Sequence, residues 1–203
     1  MINNNILNAK KYFYQRKYRL AFKFFSKEKD YYSCGLCLLL LKKKHSAKKF
    51  WYYSKDKDPA SDWGLCILNF IDLKPDRIPT FFQTRAQLET YLNIFIENNL
   101  LEWAQNLVSC ADTLYYANPE SYKFIARALY SSGYFELAIT FCKKSLNVFY
   151  SDPEALLVMA QCYYLLNDIE KAEYCTNKIL DITKNYYPAI LFREIIEEKK
   201  RES

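Results

Sequence analysis

The sequence predicts an all-α protein in which antiparallel helix pairs are stacked in series. The first observation is a phrase repeated three times at intervals of 34 residues, centred on Ala104, Ala138 and Ala172. Apolar residues recur at every third and fourth position before and after each alanine, which predicts an amphipathic helix on either side. The second observation is that only three glycines and six prolines occur in 203 residues, which argues against a loop-rich or all-β fold.

Small residues and prolines occupy the same positions in each predicted pair. The three alanines are expected where two helices cross closely, because a larger side chain would hold the helices apart. Pro119, Pro153 and Pro188 recur at spacings of 34 and 35 residues. Each of these prolines is predicted to open a first helix, where its missing N–H costs nothing.

A 34-residue period of paired helices resembles the tetratricopeptide repeat family. The resemblance is carried by the three alanines, by Ala126 and Ala160 at the small position of that family's first helix, and by Tyr163. It implies a right-handed superhelix, an α-solenoid, in which the first helices line a concave groove.

The resemblance covers the chain unevenly. It is clear for residues 85–187 and looser for residues 2–73, and Leu92 and Leu129 depart from the residue types that the family has at these positions. We expect a single helical-repeat domain, 1–203. Its expected parts are irregular units at 2–30, 28–54 and 57–84, regular units at 85–118, 119–152 and 153–187, and a capping helix at 188–203.

The N-terminal elements are predicted from the same pattern. Residues 3–14 and 18–29 are expected to form the first pair, with Ala9 and Ala21 among the residues at the repeated offsets. In the second pair, Gly35 takes the small position, Ala47 marks the crossing and Trp51 fills the space behind it.

The first helix of a third pair is predicted because Gly64-Leu65-Cys66 repeats Gly35-Leu36-Cys37. It should run from Pro59 or Ala60 to Phe70 or Leu73. Two prolines follow where a second helix would continue, and proline in a helix interior is strongly unfavourable. An irregular connection from Lys74 to Pro79 is therefore expected, with a helical restart by Thr84.

Charge is distributed unequally along the chain. Residues 1–57 carry a net charge of +12 and the remainder −6, which gives the total of +6. A basic patch is predicted near the N-terminal end, and it could bind an acidic protein segment, an anionic membrane surface or nucleic acid. The alternative is a lysine-rich face that only keeps the protein hydrated. The patch consists of Lys42, Lys43, Lys44, Lys48 and Lys49.

No pattern in the sequence indicates catalysis. Cys34-x-x-Cys37 with His45 nearby does not supply the four ligands of a zinc site, so no metal is expected. The three glycines cannot form a phosphate-binding loop. We therefore predict no enzyme activity, no cofactor and no small-molecule substrate.

Cysteine usage and the N-terminal residues bear on location. The seven cysteines are an odd number and sit mostly on apolar stripes, which favours reduced thiols over a disulfide framework. No basic segment followed by an apolar one occurs at the start. A soluble, cytoplasmic protein is expected.

The surface that such an architecture creates is the predicted binding site. Groove-facing residues of the first helices combine aromatic, apolar and polar side chains, which suits an extended peptide or a helix of a partner protein. Two of the tyrosines could instead close the packing between repeats. The predicted groove residues are Glu89, Asn93, Lys123, Phe124, Arg127, Tyr130, Leu157, Gln161 and Tyr164.

The resemblance also bears on the partner. Chaperone-binding members of the family clamp a terminal carboxylate with lysines, an asparagine and an arginine. Here Glu89 precedes Lys123 and Arg127, and Leu157 and Val158 follow them, so this clamp is not expected.

Two functions are therefore weighed. The first is a non-enzymatic scaffold for protein–protein interaction within a larger assembly. The second is an adaptor whose basic N-terminal end docks on an anionic surface, nucleic acid or membrane, while the repeats hold a protein. A homodimer is also considered, through Trp51, Trp63 and Phe70.

Overall fold

The computed structural model describes residues 4–76, 79–116 and 118–202. All regular secondary structure in these ranges is α-helical, which confirms the predicted fold class. The chain divides between residues 77 and 78 into two compact units. The predicted irregular unit at 57–84 spans this boundary, and the single-domain organisation stays a prediction.

Over residues 4–76 the first unit contains five helices joined by connections of three to five residues. Each helix packs against the next, and such short connections make neighbouring helices antiparallel. The predicted first pair is confirmed, although its second helix ends two residues early. The first helix of the third pair starts at Ala60, as predicted. The helices are α1 Asn4–Tyr14, α2 Tyr18–Lys27, α3 Tyr31–Leu40, α4 Lys44–Ser54 and α5 Ala60–Ile71.

The described residues of the second unit form seven helices, and here the 34-residue pattern is confirmed. α8 and α10 begin at Pro119 and Pro153 as predicted, whereas Pro188 is the second residue of α12. α6 begins at Phe81, which agrees with the expected restart by Thr84. The helices are α6 Phe81–Glu97, α7 Leu101–Leu114, α8 Pro119–Ser131, α9 Phe135–Val148, α10 Pro153–Leu165, α11 Ile169–Ile182 and α12 Tyr187–Glu202.

The turn between the two helices of each regular pair has one residue in the left-handed conformation. Asn99, Gly133 and Asn167 have φ values of 55°, 82° and 61° and lie 34 residues apart. Glycine and asparagine adopt this conformation at the lowest cost. It ends the first helix and lets the chain reverse direction.

Small residues occupy the helix crossings in both units. Ala104, Ala138 and Ala172 are buried, as predicted, and so are Ala9, Ala21 and Ala47 of the first unit. Each alanine allows two helices to approach closely. None of the described helices is both long and apolar enough to cross a membrane.

Trp51 forms the centre of the first unit. Its indole is fully buried and lies between Gly35 of α3 and Gly64 of α5. The indole N–H donates a hydrogen bond to the Tyr32 carbonyl oxygen at 3.1 Å. Phe70 is fully buried as well, so the expectation that Trp51 and Phe70 form an exposed self-association surface was wrong. Both side chains are used to pack α3, α4 and α5 together.

Candidate functional site

The predicted groove residues on α6 and α8 are brought together by Arg127. Its guanidinium lies 3.6 Å from a carboxylate oxygen of Glu89 on α6 and 5.6 Å from the centre of the Phe124 ring. The Arg127 side chain is 46% exposed and that of Glu89 is 24% exposed. Arginine and aromatic side chains are each enriched at protein interfaces, so this partly exposed cluster is able to contact a partner.

Three further predicted residues, on α6 and α10, are half-buried. The Oδ1 atom of Asn93 is buried without a hydrogen-bond partner among the described residues. Leu157 and Gln161 on α10 are half-buried. We call Glu89, Asn93, Phe124, Arg127, Leu157 and Gln161 the first-helix face.

Lys123, in contrast, is occupied within the protein. The residue is only 7% exposed, and its ammonium lies 2.6 Å from Glu120, 3.0 Å from Glu154 and 3.1 Å from Asp152. Desolvation lowers the pKa of Lys123, but hydrogen bonds to the three carboxylates outweigh it and the pKa is raised. Lys123 therefore ties α8 to the start of α10, and it is not available to bind a carboxylate of a partner.

The two tyrosines of the predicted groove pack against neighbouring helices. The Tyr130 ring lies 6.0 Å from Phe135, and the Tyr164 ring lies 5.6 Å from Phe192. Burial raises the pKa of Tyr130. These contacts agree with the alternative interpretation, in which the tyrosines close the packing between helices.

The basic patch of the first unit is largely open to solvent. Lys42, Lys43, Lys48 and Lys49 are exposed. Lys44 differs from them because it forms a salt bridge with Asp72. Four of the five predicted lysines can therefore meet an anionic partner.

An apolar groove between α7 and α9 was not predicted from the sequence. We call it the α7–α9 groove; its volume is about 470 Å³. Buried side chains of Leu92, Leu129 and Phe141 line its interior, and Leu101, Tyr134 and Leu137 are also in its lining although they are 47%, 41% and 47% exposed. The sequence carries a signal for this groove. Apolar residues that lie outside the packing stripe occur beside Ala104 and Ala138, at the starts of two successive second helices.

The cysteine pair with His45 nearby forms no site among the described residues. Cys34 and Cys37 are both buried inside α3. Burial raises the pKa of Cys34 to about 12, the opposite of what a reactive thiol requires. No group of three or more His, Cys, Asp or Glu in the described ranges could hold a metal ion.

No family model and no curated protein matches the sequence. Among solved structures, the chain is similar to the Arabidopsis OM64 TPR domain, with a TM-score of 0.48 and 17% identity, over 58% of this chain and 97% of that domain. It is similar to the first TPR of Spaghetti (RPAP3) bound to an HSP90 peptide, with a TM-score of 0.47 and 17% identity, over 59% and 94% of the two chains.

A third similar structure is YrrB, a TPR protein with an unusual peptide-binding site. Its TM-score is 0.48 at 13% identity, over 94% of this chain and 90% of YrrB. At this level of similarity the three structures say nothing of what this chain binds. The paired helices and the 34-residue spacing of the buried alanines make the fold tetratricopeptide-like, and these structures are of that kind.

Proposed function

We propose that the second unit is a non-catalytic scaffold that binds a segment of another protein. The observation that carries the proposal is the α7–α9 groove. Its volume of about 470 Å³ lies within the range of ligand-binding sites, and its lining is mostly apolar. Large apolar side chains exposed together on a surface are typical of interaction sites.

The occupant we propose is an amphipathic helix of a partner. Such a helix places apolar residues at positions i, i+4 and i+7 along one side, which suits a groove between two helices. α7 carries the carboxylates Glu102 and Asp112 and no basic residue. Asp112 pairs with Lys144 at 2.6 Å, whereas Glu102 is exposed. Lysine or arginine beside the apolar residues of the partner would complement this edge.

The first-helix face is a second surface for the same scaffold function. Arg127 and Phe124 support it, because their stacked side chains combine charge with apolar area. A partner could use either surface or both.

Co-purification from the cells that naturally produce the protein tests the proposal and separates the two surfaces. The variants are Leu137→Glu for the groove and Phe124→Ala with Arg127→Glu for the first-helix face. The control is Tyr174→Ala, which changes an exposed side chain of α11. We expect the wild type and Tyr174→Ala to recover the same partner, and one surface variant to lose it. Equal recovery by all three variants would show that neither surface binds the partner.

The second candidate function is the adaptor with an anionic partner at the first unit. The specific observation in its favour is the exposure of Lys42, Lys43, Lys48 and Lys49. Binding that depends on these lysines should weaken steeply as salt is added. Replacing Lys42 and Lys43 by glutamate should abolish such binding while recovery through the second unit stays unchanged.

A further inference from the structure

We propose that the first unit binds an acidic segment of a partner protein by seating one apolar side chain of that segment in a hollow between α3 and α4. The proposal rests on the adaptor function above and names its partner class. It concerns another surface than the α7–α9 groove, so the two can be tested separately.

The hollow has a volume of about 400 Å³ and a mostly apolar lining. Tyr31 and Leu38 of α3 line it together with Phe50 and Tyr53 of α4. Tyr53 is 72% exposed, while Leu38 and Phe50 are half-buried. A concave apolar surface of this size accepts a large aliphatic or aromatic side chain, which would gain free energy by leaving water.

Contacts behind the hollow hold its lining in place. The Phe50 ring lies 5.9 Å from Phe22 and 6.2 Å from Tyr31. Ser54, which also lines the hollow, donates a hydrogen bond to the Phe50 carbonyl oxygen at 2.8 Å and lies 3.0 Å from the Ser61 hydroxyl. The site is formed before a partner arrives, which lowers the entropy cost of binding.

The charge around the hollow selects the partner. Lys49 and Lys57 are part of its lining and both are exposed. α4 contains no acidic residue, and Lys48 is exposed beside Lys49. Asp56 is exposed next to Lys57, which leaves the lysines in excess. An apolar side chain flanked by Asp or Glu would satisfy both parts of this surface.

The carboxylate of Asp58, which follows Lys57 in the sequence, is held in place by backbone groups of the first unit. It accepts hydrogen bonds from the Tyr32 and Ala60 backbone N–H groups at 2.9 and 3.0 Å. The carboxylate of Asp72 is paired with Lys44. Both are therefore engaged within the unit.

An acidic peptide fits this surface better than nucleic acid or membrane does. Single-stranded nucleic acid stacks its bases on open aromatic faces. Of the aromatic side chains that line the hollow, Tyr53 is exposed while Tyr31 and Phe50 are half-buried. The lining therefore offers one open ring and not the row of rings on which successive bases stack. An anionic membrane would be attracted by the lysines alone, and its surface would leave the hollow unfilled.

Selection from a displayed library of random peptides against the full chain tests the proposal. Peptides that the wild type enriches should carry net negative charge and one large apolar residue. A synthetic copy of an enriched peptide is then titrated by fluorescence anisotropy. Enrichment of neutral or basic peptides, or no enrichment, would overturn the proposal.

Three variants locate the binding. Ser46 is an exposed residue of the hollow's lining. Ser46→Trp places a ring in the hollow, and Lys49→Glu reverses a lining charge. Each should weaken the peptide about tenfold, the loss expected for an anchor residue. Lys48→Glu makes the same charge change at an exposed residue outside the lining. It should weaken the peptide less than about threefold at physiological salt, since a charge that does not contact the peptide directly is screened. Affinity unaffected by Ser46→Trp would contradict the proposal.

Folding and competing ligands need their own controls. If circular dichroism shows that Ser46→Trp does not fold, Tyr53→Ala removes an exposed part of the lining instead and should weaken the peptide. Oligo(dT) and vesicles containing phosphatidylserine are titrated in parallel. Tighter binding of either, sensitive to Lys49→Glu and Lys48→Glu alike, would show that the partner is nucleic acid or membrane. Leu137→Glu should leave the peptide affinity unchanged, whatever becomes of the second unit's proposed function.

Discussion

The indole of Trp51 approaches Gly35 so closely that a Cβ atom on that residue would stand within 2.5 Å of the indole Cδ1. The other side of the ring meets Gly64, where a Cβ would stand 2.7 Å from Cε3. Carbon atoms in folded proteins do not approach this closely without repulsion. Both glycines are therefore required by packing, and neither has a positive φ that would otherwise explain it.

Replacing Gly35 by alanine should destabilise the first unit by overpacking. Insertion of a methyl group into a full core costs about 1–3 kcal/mol. Urea unfolding followed by tryptophan fluorescence would measure the change. An unchanged midpoint would mean that the indole can move away at no cost.

Matched variants separate this clash from other effects of losing a glycine. Trp51→Leu in the Gly35→Ala background should recover part of the loss, because two residues in contact are not additive. Gly133→Ala is the comparison: it meets no atom within 4 Å, but its φ of 82° is strained for alanine. Trp51→Leu should not rescue that variant.

Lys123→Met should destabilise the second unit, because it leaves the buried carboxylate of Asp152 without its cation. Removing one partner of a buried ion pair costs about 3 kcal/mol or more. Thermal unfolding would measure this. The control is Lys144→Met, which breaks the half-exposed pair with Asp112 and should cost less than about 1 kcal/mol. Similar losses in both variants would contradict the structural role of Lys123.

The pH dependence of that effect follows from the pKa of Lys123, which is raised in the folded protein. A raised pKa for a cation gives stability that is complete below the unfolded value, about 10.4 for lysine, and is lost only as pH rises above it. The difference between wild type and Lys123→Met should therefore be constant between about pH 6 and pH 9.

Alkaline pH should destabilise the fold through its buried thiols. Burial raises the pKa of Cys110 and of Cys175 to about 11. Between about pH 8.5 and 9.5 these thiols ionise in the unfolded chain but stay protonated in the folded one, so stability falls by up to roughly 1.4 kcal/mol per thiol per pH unit. Cys175→Ala should give a shallower slope of unfolding free energy against pH, and an unchanged slope would contradict the prediction.

The left-handed residue Asn167 should tolerate glycine but not alanine. With φ at 61°, alanine should cost about 1 kcal/mol, whereas glycine adopts this conformation without strain. Asn147→Ala is the control, since residue 147 lies within α9 and alanine favours helices. Thermal unfolding of Asn167→Gly, Asn167→Ala and Asn147→Ala would test this, and Asn167→Ala should have the lowest midpoint of the three. A stabilising Asn167→Ala would contradict the prediction.

Helix positions could be predicted because their determinants recur within the sequence. Ala138 and Ala172 have the same neighbours at the same distances, and Pro119 and Pro153 open helices at the same period. Local chemistry alone was enough for these features. The start of α6 could be bounded because the pair of prolines ends at Pro79 and the recognisable repeat follows.

The surfaces could be predicted only in part, because the partners of a surface residue come from other helices. Lys123 lies at a groove position of its helix, but two of its carboxylate partners belong to α10 or to the residue that caps it. The α7–α9 groove depends on the separation of two helices, which apolar spacing within each helix does not determine. Trp51 was expected to fill space within the second pair, and it packs against Gly35 there. Its contact with Gly64 of the next helix could not be predicted from the sequence.

Because one indole touches glycines from two helices, positions 35, 51 and 64 can change only as a group. In a homologue with a smaller residue in place of the tryptophan, alanine would fit at both glycine positions. In a homologue that keeps the tryptophan, alanine would clash with the indole. Homologous sequences should therefore show these three columns varying together, with Gly-Trp-Gly as one state and small-residue combinations as the other.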